Sequence, residues 1–158
     1  HVPDWEACLR EAARSLDVGG LLYVSTTNVL CPVQSEFNLP LYSWYPSFVK
    51  RRYERLAVTT RPALANYAKY PAVNWFTFYG LRDYLAPLGF ECLDRFDMID
   101  LERVRAPMRP LVRMARAIAP VRFFGHLLTP STSVFAVKTA AAANERGSAL
   151  VRDRAAAH

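Results

Sequence analysis

The sequence predicts an α/β fold, and three stretches carry that prediction. Over residues 5–17, Trp5, Cys8, Leu9, Ala12 and Leu16 recur at spacings of three and four, and Gly19-Gly20 then leads into the apolar run 21–26. Over 77–88, Phe78, Leu81, Tyr84, Leu85 and Leu88 repeat the helical spacing, Gly89 ends it, and 90–99 alternates between apolar and polar residues. Thr132 to Lys138 reads as a last strand. Helical and extended patterns that alternate along a chain point to helices packed on a sheet.

The totals agree with one packed unit. At 158 residues, 52% of them hydrophobic and 22% charged, the chain can bury a core and is not of disordered composition. No apolar run reaches the ~18 residues needed to cross a bilayer. The first residues lack the basic and apolar regions of a signal peptide. Cys8, Cys31 and Cys92 are odd in number and widely spaced, which argues against a disulfide framework or a zinc site and makes a reducing cytosol the simplest context.

Each element has local grounds. Asp4 can cap the first helix, Glu6, Arg10, Glu11 and Arg14 give it a solvated face, and Gly19-Gly20 can close it. The unbroken apolar run 21–26 suits an interior parallel strand covered on both faces. From Thr27 to about Tyr45 periodicity is lost among Cys31-Pro32, Leu39-Pro40 and Tyr45-Pro46. A loop of this length past the carboxyl end of a strand lies where ligands sit in open α/β sheets. Pro46 suits a helix first turn, with Phe48, Val49, Arg52, Tyr53 and Leu56 on a modest stripe and Lys50, Arg51 and Arg55 outside it. Residues 58–73 are a short helical or irregular piece between Arg61-Pro62 and Tyr70-Pro71. A basic helix over 108–119 puts Met108, Leu111, Val112, Ala115 and Ile118 on its apolar side. The Ala-rich tail 139–158 reads as frayed helix or disorder.

The net charge of +6 is concentrated. Arg103, Arg105, Arg109, Arg113, Arg116 and Arg122 lie in a stretch with no acid from Arg103 through Asn144. Solvated helix faces are the plain explanation, and attraction to an anionic membrane or substrate is the functional one. No nucleic-acid motif accompanies the charge, so nucleic acid is not expected as a partner.

Taken in order, these pieces resemble the second half of class I S-adenosylmethionine-dependent methyltransferases, in the branch of the ubiquinone-biosynthesis O-methyltransferases. His1-Val2-Pro3-Asp4 looks like the end of the loop after that family's fourth strand. Leu9 to Asn28 looks like its next helix, Gly-Gly turn and fifth strand. Trp75 to Glu91 looks like its penultimate helix and the start of its sixth strand, and Ser133 to Lys138 like its seventh, antiparallel strand. The resemblance spans 1–138, with 29–75 and 100–130 as lid-like insertions outside the family pattern. It implies the C-terminal part of a Rossmann-like sheet, strands five to seven, and a chain that begins inside a longer protein.

The resemblance also implies a chemistry: transfer of a methyl group from S-adenosylmethionine to a small acceptor, at oxygen. The six glycines form no G-x-G-x-G run, so the main cofactor loop would lie upstream, and this chain by itself is expected to be inactive and to bind the cofactor weakly or not at all. No metal ligand set is read. By resemblance His1 would be a catalytic residue, joining two upstream acids at a metal or lying near the transferred methyl; a lone loop His is otherwise a hydrogen-bonding structural residue. Asn28 can orient a substrate at the ligand edge or close a turn. Tyr42, Trp44 and Tyr45 can wall an acceptor or plug the loop's own core. Trp75 and Phe76 read as core, and Asp94 and Asp97 as partners of Arg95 or of solvent. Two other readings stand beside this one: a non-catalytic module that binds an anionic membrane or a partner through its basic helix, and a Rossmann-like domain of another enzyme class.

Overall fold

The computed structural model describes residues 2, 4–69, 71 and 74–139; His1 and the tail from 140 onward lie outside the described residues. The fold is mixed α/β. Among the described residues its sheet has three strands, β1 (Leu21–Thr27), β2 (Phe90–Asp94) and β3 (Ser131–Lys138), in the order β1-β3-β2. β3 is antiparallel to both neighbours, pairing Leu21 with Val137, Tyr23 with Phe135 and Thr27 with Ser131 on one side, and Phe90 with Lys138 and Asp94 with Val134 on the other. β1 and β2 therefore run parallel to each other, on either side of the last strand.

Helix α1 (Trp5–Ser15) starts where the Asp4 side chain accepts from the Ala7 amide. It stops at Leu16, ahead of the glycines, and Gly19 turns the chain at φ +88° while its amide donates to Lys138 O. Lys138 completes that junction. Its buried ammonium donates to Ala13 O and Leu16 O at 2.6 and 2.7 Å, satisfying carbonyls that the helix end leaves open. Helix α3 (Phe78–Leu85) is capped by Thr77, which accepts from the Gly80 amide, and ends through a 3-10 turn at Gly89 (φ +89°).

Helices α1 and α3 cover one face of the sheet. Leu9, Ala13, Phe78, Leu81, Leu85, Phe90, Val134 and Ala136 form the main core, with Trp5, Leu22 and Val24 against it. The period of two sends alternate residues to the other face. There Leu21 and Tyr23 are 61% and 53% exposed, which corrects the expectation of a strand buried on both faces. The free edge of β1 pairs with no strand among the described residues.

Two further boundaries differ from the sequence reading. The strand over 90–99 ends at Asp94, because Asp94 accepts from the amides of Phe96 and Asp97 while Asp97 accepts from the Asp94 amide, and this capping box starts the single turn α4 (Arg95–Met98). The basic helix 108–119 is two helices, α5 (Arg109–Ala117) and α6 (Ala119–Leu127). Ile118 leaves the helical region at φ −122°, ψ 108°, since Pro120 has no N–H for the carbonyl of Arg116 and its ring would meet it. Of the five apolar residues assigned to that helix, only Val112 and Ala115 are buried.

The long insertion builds a second small core. Phe37, Tyr42, Ala57 and Ala65 are its buried members, with Tyr45, Tyr53 and Trp75 packed around them. Helix α2 (Ser47–Thr59) contributes Ala57 but leaves Phe48 exposed. Lys50, expected outside the buried stripe, donates to Ser43 O at 2.7 Å and lies 5.9 and 5.5 Å from the ring centres of Tyr42 and Trp75. Burial pulls its pKa down, and Glu54 opposes that only in part. No helix among the described residues is long and apolar enough to cross a membrane.

Candidate functional site

An open concavity with polar walls lies past the carboxyl end of β1. It is a cleft of about 440 Å³ lined by Ser25, Thr26 and Thr27 from β1, Ser35 and Glu36 from the long loop, Asn74, and Pro130-Ser131 at the start of β3. The Asn28 amide donates to Pro130 O, which holds the two strand ends side by side. Asn74 closes one wall: its carbonyl accepts from Thr26 Oγ1 at 3.1 Å and its side-chain amide donates to Val2 O at 2.7 Å. An apolar cleft of about 190 Å³ adjoins, sharing Ser25, Thr26 and Asn74 and adding Trp5, Val24 and Phe76. A hydroxyl-lined chamber that opens beside an apolar one suits a small amphipathic ligand. Glu36 is the only acid between Asp17 and Glu54, and it stands at this wall. On the far side, the Arg95 guanidinium donates to Ser131 Oγ at 3.0 Å.

The residues singled out in the sequence are placed as follows. Asn28 is buried; its amide nitrogen donates to His126 O (2.7 Å) and Thr129 O (2.9 Å), and its oxygen accepts from the Leu30 amide. That arrangement closes a turn and clamps the end of α6, and it uses both ends of the amide. Tyr42 is 1% exposed inside the second core, stacked on Phe37 at 4.2 Å, with its hydroxyl on Glu54. Burial pushes that hydroxyl's pKa up, and the Glu54 charge adds to the effect. Tyr45 packs between Tyr42 and Tyr53. Trp44 stays exposed and donates through Nε1 to Leu30 O. Val2 lines the apolar cleft, whereas His1 lies outside the described residues. Replacing Asn28 with Ala removes a donor from His126 O and from Thr129 O and the acceptor of the Leu30 amide. We expect a loss of about 2 kcal/mol in urea denaturation, with faster hydrogen exchange at 126–130; unchanged stability would return Asn28 to a ligand-facing role.

A second polar cluster escaped the sequence reading. Asp94 is fully buried, and its carboxylate accepts from Arg122 Nε and His126 Nε2, both at 2.7 Å. Arg122 reaches Asp97 as well. This corrects the assignment of both aspartates to Arg95 or solvent, since Arg95 turns to Ser131. Burial pushes the Asp94 pKa up, but the hydrogen bonds from His126 and Arg122, the Asp97 amide and the Arg122 charge outweigh it and hold the carboxyl well below the ordinary range. Asp94 raises the pKa of Arg122 in return. With Asp94 ionised, Nε2 of His126 is the donor.

An Asp–His pair invites a catalytic reading, and its surroundings argue otherwise. The imidazole is stacked on Phe78 at 5.3 Å and bounded by the edges of Tyr79 and Phe96, and it is buried. Among the described residues no hydroxyl or thiol bonds to it. The cluster fastens α6 to the end of β2. Two spacings in the sequence signal it: Asp94-x-x-Asp97 as a cap, and Arg122 with His126 four apart on one helix face.

S-adenosylmethionine fits these residues poorly. Its cradle needs a glycine-rich turn against a helix N-terminus. Gly19 and Gly89 serve single turns, Gly80 lies inside α3, and Gly125 lies inside α6 with its Cα packed on Phe96. Among the described residues no three His, Cys, Asp or Glu side chains converge as a metal site would require. No family model, curated protein or solved structure matches the chain.

Proposed function

We propose that this chain is the C-terminal, acceptor-side part of an S-adenosylmethionine-dependent methyltransferase that modifies a small acceptor at oxygen. The observation that carries the reading is the place of β3: the last strand, and the one that runs against its neighbours, inserted between two strands that are parallel to each other. The resemblance assigns that role to the seventh strand of a Rossmann-like sheet, with β1 and β2 as the fifth and sixth. The free edge of β1 and the uncovered apolar residues Leu21 and Tyr23 support it, since further strands and helices would pack there. So does the cleft, which opens past the carboxyl end of β1.

In this reading the cleft holds the acceptor. Its ring or chain lies against Trp5, Val24 and Phe76, and its hydroxyl faces Ser25, Thr27 and Glu36. Glu36 accepts the proton that the hydroxyl loses, and the serines and threonines orient the oxygen. The cofactor is held by residues outside those described. A calorimetric titration with S-adenosylhomocysteine tests this: the 158-residue chain binds none, while the longer polypeptide that carries it binds. Absence of binding by that polypeptide overturns the reading. Within it, Glu36→Gln leaves S-adenosylhomocysteine binding unchanged and lowers the transfer rate by about 10²-fold.

A further inference from the structure

The α5–α6 hairpin carries a surface that the cleft does not use. Leu111 and Met114 stand three apart on α5, Ile118 follows at the joint between the helices, and Phe124 on α6 and Leu128 just past its end stand four apart; all five are exposed, Leu128 to 78% and Phe124 to 58%. Buried Val112 and Ala115 hold α5 to the body of the fold, so these larger side chains are left outside after packing is complete.

Of the six arginines of the stretch, Arg103 pairs with Asp100 at 3.3 Å, and the other five divide into two groups. Arg109 donates to Val104 O and Glu102 O, Arg116 to the carbonyls of Phe96, Asp97 and Ile99, and Arg122 to Asp94 and Asp97. Arg116 and Arg122 brace the hairpin on β2 and α4, and Arg109 ties α5 to the turn before it. Arg105 and Arg113 are exposed, and their guanidinium groups have no hydrogen bond or ion pair among the described residues. No acid occurs between Glu102 and Glu145 to offset them. A nucleic acid would use the cations and have no use for the apolar row. An acidic protein groove would need more free cations than two. Bulky exposed apolar side chains on and beside two helices that carry no carboxylate of their own, together with two unpaired guanidinium groups, match the boundary between anionic headgroups and acyl chains.

We infer that the α5–α6 hairpin docks this protein on an anionic lipid bilayer, with Leu111, Met114, Ile118, Phe124 and Leu128 entering the acyl boundary and Arg105 and Arg113 meeting the headgroups. The hairpin is braced at the β2 end of the sheet, whereas the free edge lies at β1, so docking and further strand pairing use different edges. The inference needs neither a methyl donor nor an acceptor, and it stands or falls separately from the proposed activity.

The test is co-sedimentation of the 158-residue chain with phosphatidylcholine vesicles, with and without phosphatidylglycerol. The chain pellets with the anionic vesicles only, and salt near 1 M releases most of it. The pair Phe124→Ser with Leu128→Ser, and the pair Arg105→Glu with Arg113→Glu, each weaken partition by at least about tenfold while leaving the circular dichroism melt in place. Leu111→Ser with Met114→Ser repeats the test from the other helix if the α6 pair does not fold. Failure of the parent chain to pellet with anionic vesicles overturns the inference, as does equal binding by folded variants. A dimer in sedimentation velocity that the α6 pair abolishes also overturns it, because the face then belongs to a second copy.

Discussion

Asp94→Ala is expected to cost about 3–5 kcal/mol of folding stability, read as a shift of the urea midpoint at constant slope. The substitution removes the carboxylate that accepts from Arg122 and His126, leaves the buried His126 Nε2 among aromatic rings with no acceptor, and leaves Arg122 with Asp97 alone. It also removes the cap that ends β2 and starts α4. Asp94→Asn keeps the shape and part of the cap, and should lose less. The pair carries a pH signature whose sign follows from the depressed folded pKa. Its stabilisation is complete above the ordinary Asp value of 3.8 and falls away as pH drops below it toward the folded value. Wild-type stability should therefore decline on acidification below about pH 4, and the Asp94→Ala variant should decline less steeply over the same window. Parallel pH slopes for the two proteins would refute the role given to Asp94.

Phe78→Ala should be comparably severe, at about 3–5 kcal/mol. Phe78 is the first residue of α3 and a member of the main core with Leu81, Leu85 and Val134. Its ring also lies parallel to the imidazole of His126, at 5.3 Å and 5°. Truncation opens a cavity in the core and removes the wall that keeps water from the Asp94–His126 bond. The two losses share a partner, so Asp94→Ala and Phe78→Ala should not add: the double variant is expected to lose at least about 0.5 kcal/mol less than the sum. Simple additivity would mean that core and polar cluster act independently. Leu128→Ala, at a residue exposed to 78%, supplies the contrast, with an expected change within about 0.5 kcal/mol.

The elements with strong local signals were legible. Asp4 with its helical stripe, the Gly19-Gly20 turn, the Thr77-started helix over 78–85 and the last strand over 131–138 appear close to their expected positions, because cap, period and turn chemistry act within a few residues. Two boundaries misled for local reasons as well. Phe90 to Ile99 alternates, yet Asp94 and Asp97 form a cap that alternation conceals. Met108 to Ile118 shows an apolar face, yet a face at helical period states what is apolar and not whether anything covers it.

The candidate site was legible only in outline. A long loop past the carboxyl end of the first strand drew attention to the right edge of the sheet, and Asn28 does stand there. The roles of its residues were decided at long range. Asn28 meets carbonyls about a hundred positions away, Tyr42 turns into the core of its own loop, and Glu36 reaches the cleft from a stretch with no periodicity to mark it.

By itself the sequence determined that the chain is α/β, where α1, α3, β1 and β3 fall, and that its positive charge gathers before β3. Those properties rest on interactions among near neighbours and on composition. Only the tertiary structure decided that the last strand runs between the other two, that Asp94 is held by Arg122 and His126, and which arginines remain free. A side chain's partner depends on which elements meet in space. Arg109, Arg113 and Arg116 share one helix and one residue type, and what separates them is the set of carbonyls that the fold brings within reach of two of the three.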